Sequence, residues 1–214
     1  MHEFMTVQEV ADYLRVSERT VYDWASKGQI PCGKFGATWR FKRDQIEQWI
    51  NGKLNKEDES QPLTISNILS PKRISFLSAV TKQQAIEQII ELISTSDAIE
   101  NVAELRDAVL EREKLMSTAI GLGIAVPHVR LSSVKRLVMA LGISRAGIND
   151  YDSLDGQPVK AIFLIAAAKD QHVRHIKTLA LIGGFAKDDI ARRSLFSAQS
   201  ESEVYKLLTG KNYE

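Results

Sequence analysis

Gly121-Leu122-Gly123-Ile124-Ala125-Val126-Pro127-His128 closes an apolar, glycine-punctuated run with one imidazole placed just after a proline, an arrangement that suits a presented nucleophile. Its company gives it weight. Arg112 lies sixteen positions upstream within Glu111-Arg112-Glu113-Lys114, Ser117-Thr118 follows, and His175 opens an apolar-periodic segment far downstream. Taken singly, His128 reads as an ordinary turn histidine and His175 as a partly buried helical one bonded to backbone. Taken together, these residues read as a site.

Outward from that stretch, the chain divides. Residues 55–61, Asn-Lys-Glu-Asp-Glu-Ser-Gln, contain no apolar side chain and precede Pro62, so they read as a linker. The expected organisation is a small unit over residues 1–54, a linker over 55–62 and a larger unit over 63–214. The first is near the lower size limit for independent folding, and the second, with 44% hydrophobic content in the whole chain, can bury a real core. The 28 Lys+Arg nearly cancel the 27 Asp+Glu, which excludes a strong basic field over the whole molecule. A single cysteine, Cys32, excludes an intramolecular disulfide, and no apolar run reaches membrane-spanning length. These features predict a cytoplasmic protein with no membrane insertion, no metal and no cofactor.

In the first unit, Thr6-Val7-Gln8-Glu9 fits a capping box that starts a helix at Val7, with Val7, Val10, Ala11 and Leu14 on one apolar face. After Arg15-Val16, Ser17 can cap a second helix that runs from Glu18 to Lys27 and stops at Gly28. Residues Ile30 to Phe41 read as a hairpin turning at Gly36-Ala37-Thr38, and a third helix is expected from about Arg43 to Lys53, carrying Ile46, Trp49 and Ile50. All three tryptophans fall in this unit. From residue 5 to 50 this pattern closely resembles the excisionase-type, MerR-related winged helix. The resemblance implies double-stranded DNA as a partner, with the second helix in a major groove and Arg19, Tyr22, Ser26 and Lys27 on its exposed side. Lys34, Arg40, Lys42 and Arg43 would then reach phosphates or the minor groove. The unit holds eight Lys+Arg against seven Asp+Glu, so one copy should bind weakly and a homo-oligomer is expected.

In the second unit, apolar periodicity predicts helices over Lys82 to Ser94 and Val102 to Leu110, then three more after Asp170. Leu137 to Ile143 and Val159 to Ala167 read as buried strands. The expected fold is thus two domains: a small winged helix-turn-helix, mostly α with a β hairpin, and an α/β sandwich whose mixed sheet is flanked by helices. The segments Glu111–Lys114, Ser117-Thr118, Gly121–His128, Asp155-Gly156-Gln157-Pro158-Val159 and His175-Ile176-x-Thr178-Leu179 look like an enzyme IIA domain of the phosphotransferase system, of the fructose/mannitol and nitrogen-regulatory type. That resemblance spans about Leu63 to Leu208. It implies that His128 accepts a phosphoryl group from an HPr-type phosphocarrier protein, with Arg112 and His175 as site partners.

The chemistry of the residues agrees. An imidazole with a pKa near 6.5 is largely neutral at cellular pH and can attack phosphorus without a strong base. The site must then supply position and charge stabilisation. Arg112 suits paired hydrogen bonds to phosphoryl oxygens, Ser117, Thr118 and Gly123 are candidates to donate further ones, and His175 can add another. The chain departs from the family pattern at Val129, Ala119, Leu122 and Ala168. A bulkier Val129 is expected to narrow the surface on which a carrier docks. A DNA reader joined to a phosphate acceptor points to a transcription regulator sensing phosphotransfer. The alternatives are a phosphocarrier of a sugar or nitrogen relay whose winged helix makes protein contacts, and a DNA-bound architectural protein whose second domain only dimerises.

Overall fold

The computed structural model describes residues 3–54 and 63–210, and the expected linker lies outside the described residues. The chain forms two units, Met1–Pro62 and Leu63–Glu214.

In the first, the Thr6 hydroxyl accepts from the Glu9 amide at 3.2 Å and the Glu9 carboxylate accepts from the Thr6 amide at 2.7 Å, which starts α1 (Val7–Leu14) at the expected residue. Ser17 caps α2 (Glu18–Ser26), and Gly28, at φ +66°, takes the left-handed turn beyond it. Strand β1 (Phe4–Met5), which the sequence pattern did not announce, precedes α1. It pairs with one edge of β3 (Thr38–Lys42), and β2 (Gly33–Phe35) pairs with the other, forming a three-stranded antiparallel sheet. Then comes α3 (Arg43–Leu54). Val10, Val21, Phe41 and Ile46 are fully buried at the centre, and the Trp24 and Trp49 rings pack tilted against each other beside them, 5.4 Å between centroids.

The second unit opens with a short α4 (Ile65–Ile68) and β4 (Leu69–Phe76), followed by α5 (Lys82–Ile93) and α6 (Val102–Leu115). Three short strands come next: β5 (Ala119–Gly121), β6 (Ile124–Ala125) and β7 (His128–Leu131). Two long ones, β8 (Val138–Ile148) and β9 (Val159–Ala168), lie antiparallel at the centre of a mixed sheet ordered β4-β8-β9-β6-β5, with β7 also on β9. Helices α7 (His172–Lys187), α8 (Asp189–Ser197) and α9 (Glu201–Thr209) complete the unit.

Period-two alternation along β8 and β9 sorts the core into two layers. Met139, Leu141, Phe163 and Ile165 meet Ile182, Phe185, Leu195 and Val204 on one face of the sheet. On the other, Val138, Ala140, Ile162 and Leu164 meet Ile86, Ile90, Leu105 and Val109. The helix expected to end at Leu110 runs on to Leu115, which places Arg112 and Glu113 on its last turn.

Candidate functional site

Strands β6 and β7 lie end to end along one edge of β9: Ile124 pairs with Ala161, and His128 pairs with Ile165. Pro127 interrupts them. Its carbonyl accepts from the Ile165 amide at 3.0 Å, but a proline has no N–H to return. Past the break, alternation sends His128 toward α7, where its ring lies edge-on to His175 at 5.4 Å between centroids, and sends Val129 into the opposite core layer. Val129 is 8% exposed, so the expectation that it narrows a docking surface is corrected: its bulk is spent in the core.

His128 lines an open cleft of about 510 Å³ together with Arg112, Ser117, Thr118 and Leu179. Its Nδ1 is 2.8 Å from the Val126 carbonyl oxygen, which only accepts, so that nitrogen carries the proton and the lone pair belongs to Nε2. Arg112 donates one Nη1–H to the Met116 carbonyl at 3.0 Å, anchoring the guanidinium across the end of α6. The Ser117 hydroxyl accepts from the Ala119 amide at 3.3 Å and keeps its own proton to donate. Burial, reinforced by the charges of His128, Arg130 and His172, lowers the His175 pKa to about 4, so that ring is neutral at pH 7. Its Nδ1 is buried without a hydrogen bond.

Two expected donors are corrected. Thr118 lines the cleft, but its amide and hydroxyl are both committed to the Glu113 carboxylate, at 3.1 and 2.5 Å, which leaves neither for an incoming oxygen. Gly123 does not reach the cleft. It sits at the β5–β6 turn with its carbonyl on the Lys160 and Ala161 amides, and Ala161 is four residues, about 13 Å, along β9 from the partner of His128. Its φ of +73° and the Phe196 ring, 3.2 Å from where a Cβ would stand, explain the glycine instead.

Sequence reasoning missed Arg130, exposed two residues beyond His128 on the same strand face, a spacing that was readable once β7 was known. It also missed the Asp152-Ser153-Leu154 wall of the cleft, which no local pattern signals. Among the described residues, no group of three or more His, Cys, Asp or Glu side chains is arranged to hold a metal ion, and no helix is long and apolar enough to cross a membrane.

On the first unit, Arg19, Tyr22 and Ser26 lie on the exposed side of α2, Lys27 is exposed at its C-cap, and Lys34 is exposed on the hairpin. Arg40, Lys42 and Arg43 are half-buried, drawn onto the domain itself. Arg40 donates to the Trp39 carbonyl, Lys42 stands 3.9 Å from Glu3, and Arg43 stands 3.9 Å from Glu47 and over the Tyr13 ring.

Compared with known proteins, residues 67–211 match the family model described as "Phosphoenolpyruvate-dependent sugar phosphotransferase system, EIIA 2", and residues 4–53 match a helix-turn-helix domain. A nitrogen regulatory protein of Klebsiella oxytoca is 32% identical over 155 residues, covering 71% of this chain and 95% of that protein. The fructose-specific EIIABC component of Bacillus subtilis is 29% identical over 147 residues, 68% of this chain, and this chain spans only 23% of that protein. Among solved structures, the nitrogen regulatory protein IIA-Ntr from Neisseria meningitidis superposes with a TM-score of 0.62 at 29% identity, covering 68% of this chain and 99% of that one.

Proposed function

The chain belongs to the EIIA 2 family of the phosphoenolpyruvate-dependent sugar phosphotransferase system, with a helix-turn-helix domain ahead of that part, and from this we propose that it is a DNA-binding regulator whose His128 accepts a phosphoryl group from an HPr-type carrier. One observation carries the reading: the hydrogen bond from Nδ1–H to the Val126 carbonyl reserves Nε2 for attack in a cleft that also holds Arg112.

In the transfer, the Nε2 lone pair of His128 forms a bond to phosphorus while the carrier's own bond to phosphorus breaks and its electrons return to the carrier. The proton stays on Nδ1, donated to the Val126 carbonyl, which steadies the positive charge that develops on the ring. Arg112 offers charge-assisted hydrogen bonds to the phosphoryl oxygens and Ser117 offers a hydroxyl, while neutral His175, outside the cleft lining but with its ring against that of His128, offers one N–H. Around the cleft, Leu115, Met116 and Leu154 are 82%, 70% and 86% exposed, an apolar rim suited to docking a carrier protein. IIA domains interact with phosphocarrier or IIB partners, and this rim is where such a partner would sit.

Phosphorylation adds about −1.5 to −2 charge. That charge is screened beyond a Debye length of about 8 Å at physiological salt. The signal therefore acts through contact, by changing how the IIA-like unit packs against the winged helix or a second copy, in the cytoplasm where carrier and DNA meet. The locally paired cations of the first unit favour one rival reading, a relay phosphocarrier whose helix-turn-helix makes protein contacts.

The test is to incubate the full chain with a phosphoenolpyruvate-driven carrier cascade and profile its DNA binding with and without label. Labelling that disappears in His128→Ala is expected, together with a sequence-specific footprint that shifts on phosphorylation. Unchanged labelling of His128→Ala rejects the phosphoacceptor, and label without any footprint selects the relay.

A further inference from the structure

Behind the cleft lies a polar cluster that phosphate acceptance does not use. Glu113 is the neighbour of Arg112 on α6, and successive helical residues point about 100° apart, so one reaches the cleft while the other turns inward. Glu113 is only 6% exposed. Its Oε1 lies 2.9 Å from Lys82 Nζ at the start of α5, and it accepts from both the amide and the hydroxyl of Thr118. Tyr151, 3% exposed, brings its hydroxyl within 3.4 Å of Thr118 Oγ1, and Lys82 Nζ stands 4.7 Å from the Tyr151 ring centroid. The Lys82 amide donates to Asp150 at 2.7 Å. Burial and the Glu113 charge raise the Tyr151 pKa, which keeps its hydroxyl protonated.

Four segments therefore meet at one carboxylate: the first turn of α5, the last turn of α6, Ser117-Thr118 and Asp150-Tyr151. Three of them continue directly into the cleft, as Arg112, as Ser117 and as Asp152 to Leu154. A buried ion pair is a poor stabiliser, because desolvation takes back most of the attraction and apolar side chains of similar volume hold a fold as well or better. What it supplies is direction, since hydrogen bonds fix geometry where apolar contacts slide.

We propose that Glu113 is a positioning residue for phosphoryl transfer: through Lys82, Thr118 and Tyr151 it locks the Arg112–Thr118 segment against the loop at Asp150 to Leu154 and so aims Arg112 and Ser117 at His128. It touches neither the phosphoryl group nor the carrier. The proposal rests on the phosphoacceptor reading and adds a part to it.

Two variants of the full chain test it, Glu113→Gln and the double substitution Lys82→Met with Glu113→Met. The double variant replaces the pair with apolar atoms of similar length but leaves the buried Thr118 amide and hydroxyl without their acceptor, so its Tm should fall by several degrees while the fold is kept. Its kcat for labelling from the carrier cascade should fall about 10- to 100-fold through lost orientation, with KM for the carrier within about twofold because the exposed rim is untouched. Glu113→Gln, which keeps an acceptor for Thr118, should recover part of the rate. A parental kcat in the double variant overturns the proposal, and should that variant fold poorly, a parental kcat in Glu113→Gln does the same. Side-chain ¹⁵N relaxation of Arg112 Nε, measured without carrier, is the second readout. Disorder at Arg112 in the variants is expected, and unchanged order overturns the positioning role. Because that measurement needs no phosphoryl transfer, a parent chain that takes no label would strike the phosphoacceptor reading alone.

Discussion

At the cleft of the C-terminal unit, Arg112 is followed in α6 by a buried carboxylate that holds its own lysine, and its guanidinium donates to the Met116 carbonyl across the helix end. On the helix-turn-helix, Lys27 meets Asp23 with both side chains exposed, and the half-buried Lys42 and Arg43 stand 3.9 Å from Glu3 and Glu47 at the surface. The first arrangement is preorganised and costly to disturb. The second is cheap to rearrange, since exposed ion pairs contribute about 0–1 kcal/mol and exchange readily for other anions such as phosphates. A group that must meet a transient charge distribution at one point needs the former, and a surface that must adapt to a duplex can use the latter.

The sharpest way to break this contrast is at Arg112. Replacing it with alanine should lower the rate of His128 labelling by about 10²–10³, the loss typical of a preorganised donor to a developing anion. Arg112→Lys should restore only part of that rate, because an ammonium cannot make the paired hydrogen bonds of a guanidinium. Single-turnover labelling with a phosphorylated carrier measures both. A lysine variant at the parental rate would mean that only charge matters there and that no preorganisation is needed.

A second, smaller effect follows from His175. In the folded protein this ring stays neutral down to about pH 4, while in the unfolded chain it takes a proton near its ordinary value of 6.5. Between those values unfolding takes up a proton, so stability present above pH 6.5 is lost as the pH falls toward 4. Allowing for partial solvent screening, this amounts to about 1–2 kcal/mol. Thermal melts from pH 7 to 4.5 should show a steeper decline for the parent chain than for His175→Gln. Parallel curves would mean that the imidazole is solvated in the folded protein and is not held neutral beside His128.

Much of this was readable before any coordinates, and what was not follows a rule. The capping box at Thr6, the helix stop at Gly28 and the two central strands are local patterns, and they appear where expected, except that β8 runs on to Ile148 past the expected end at Ile143. The strand β4 escaped because Pro71 sits inside it at an irregular register against β8, which breaks the alternation a reader looks for. The convergence of Arg112, Ser117, His128 and His175 was readable as a set of types and spacings. The misassignment of Thr118 and Gly123 was not avoidable at that level: Glu113 satisfies Thr118 from the next helix turn with help from Lys82, thirty-one residues away, and Gly123 answers to Phe196 across the sheet edge. Val129 was judged by its size when its side of the strand decided its role.

The smallest effect tests the other half of the contrast. Asp23 shares the exposed side of α2 with Arg19, Tyr22 and Ser26, and its carboxylate holds Lys27 Nζ at 2.8 Å. If α2 reads DNA, this carboxylate both repels the backbone and occupies a cation that would otherwise meet a phosphate. Asp23→Asn should therefore raise affinity for duplex DNA about two- to fivefold at ~0.1 M salt and steepen the logarithmic salt dependence by about one, while Lys27→Ala should do the reverse. Because the pair is exposed, Tm should move by no more than about 2 °C in either variant. Fluorescence anisotropy across a salt series, beside thermal melts, separates the outcomes. A changed slope at constant Tm places Lys27 at the backbone of the duplex, whereas an unchanged slope removes α2 from the DNA face and leaves the solvated pairs of this unit to a protein partner.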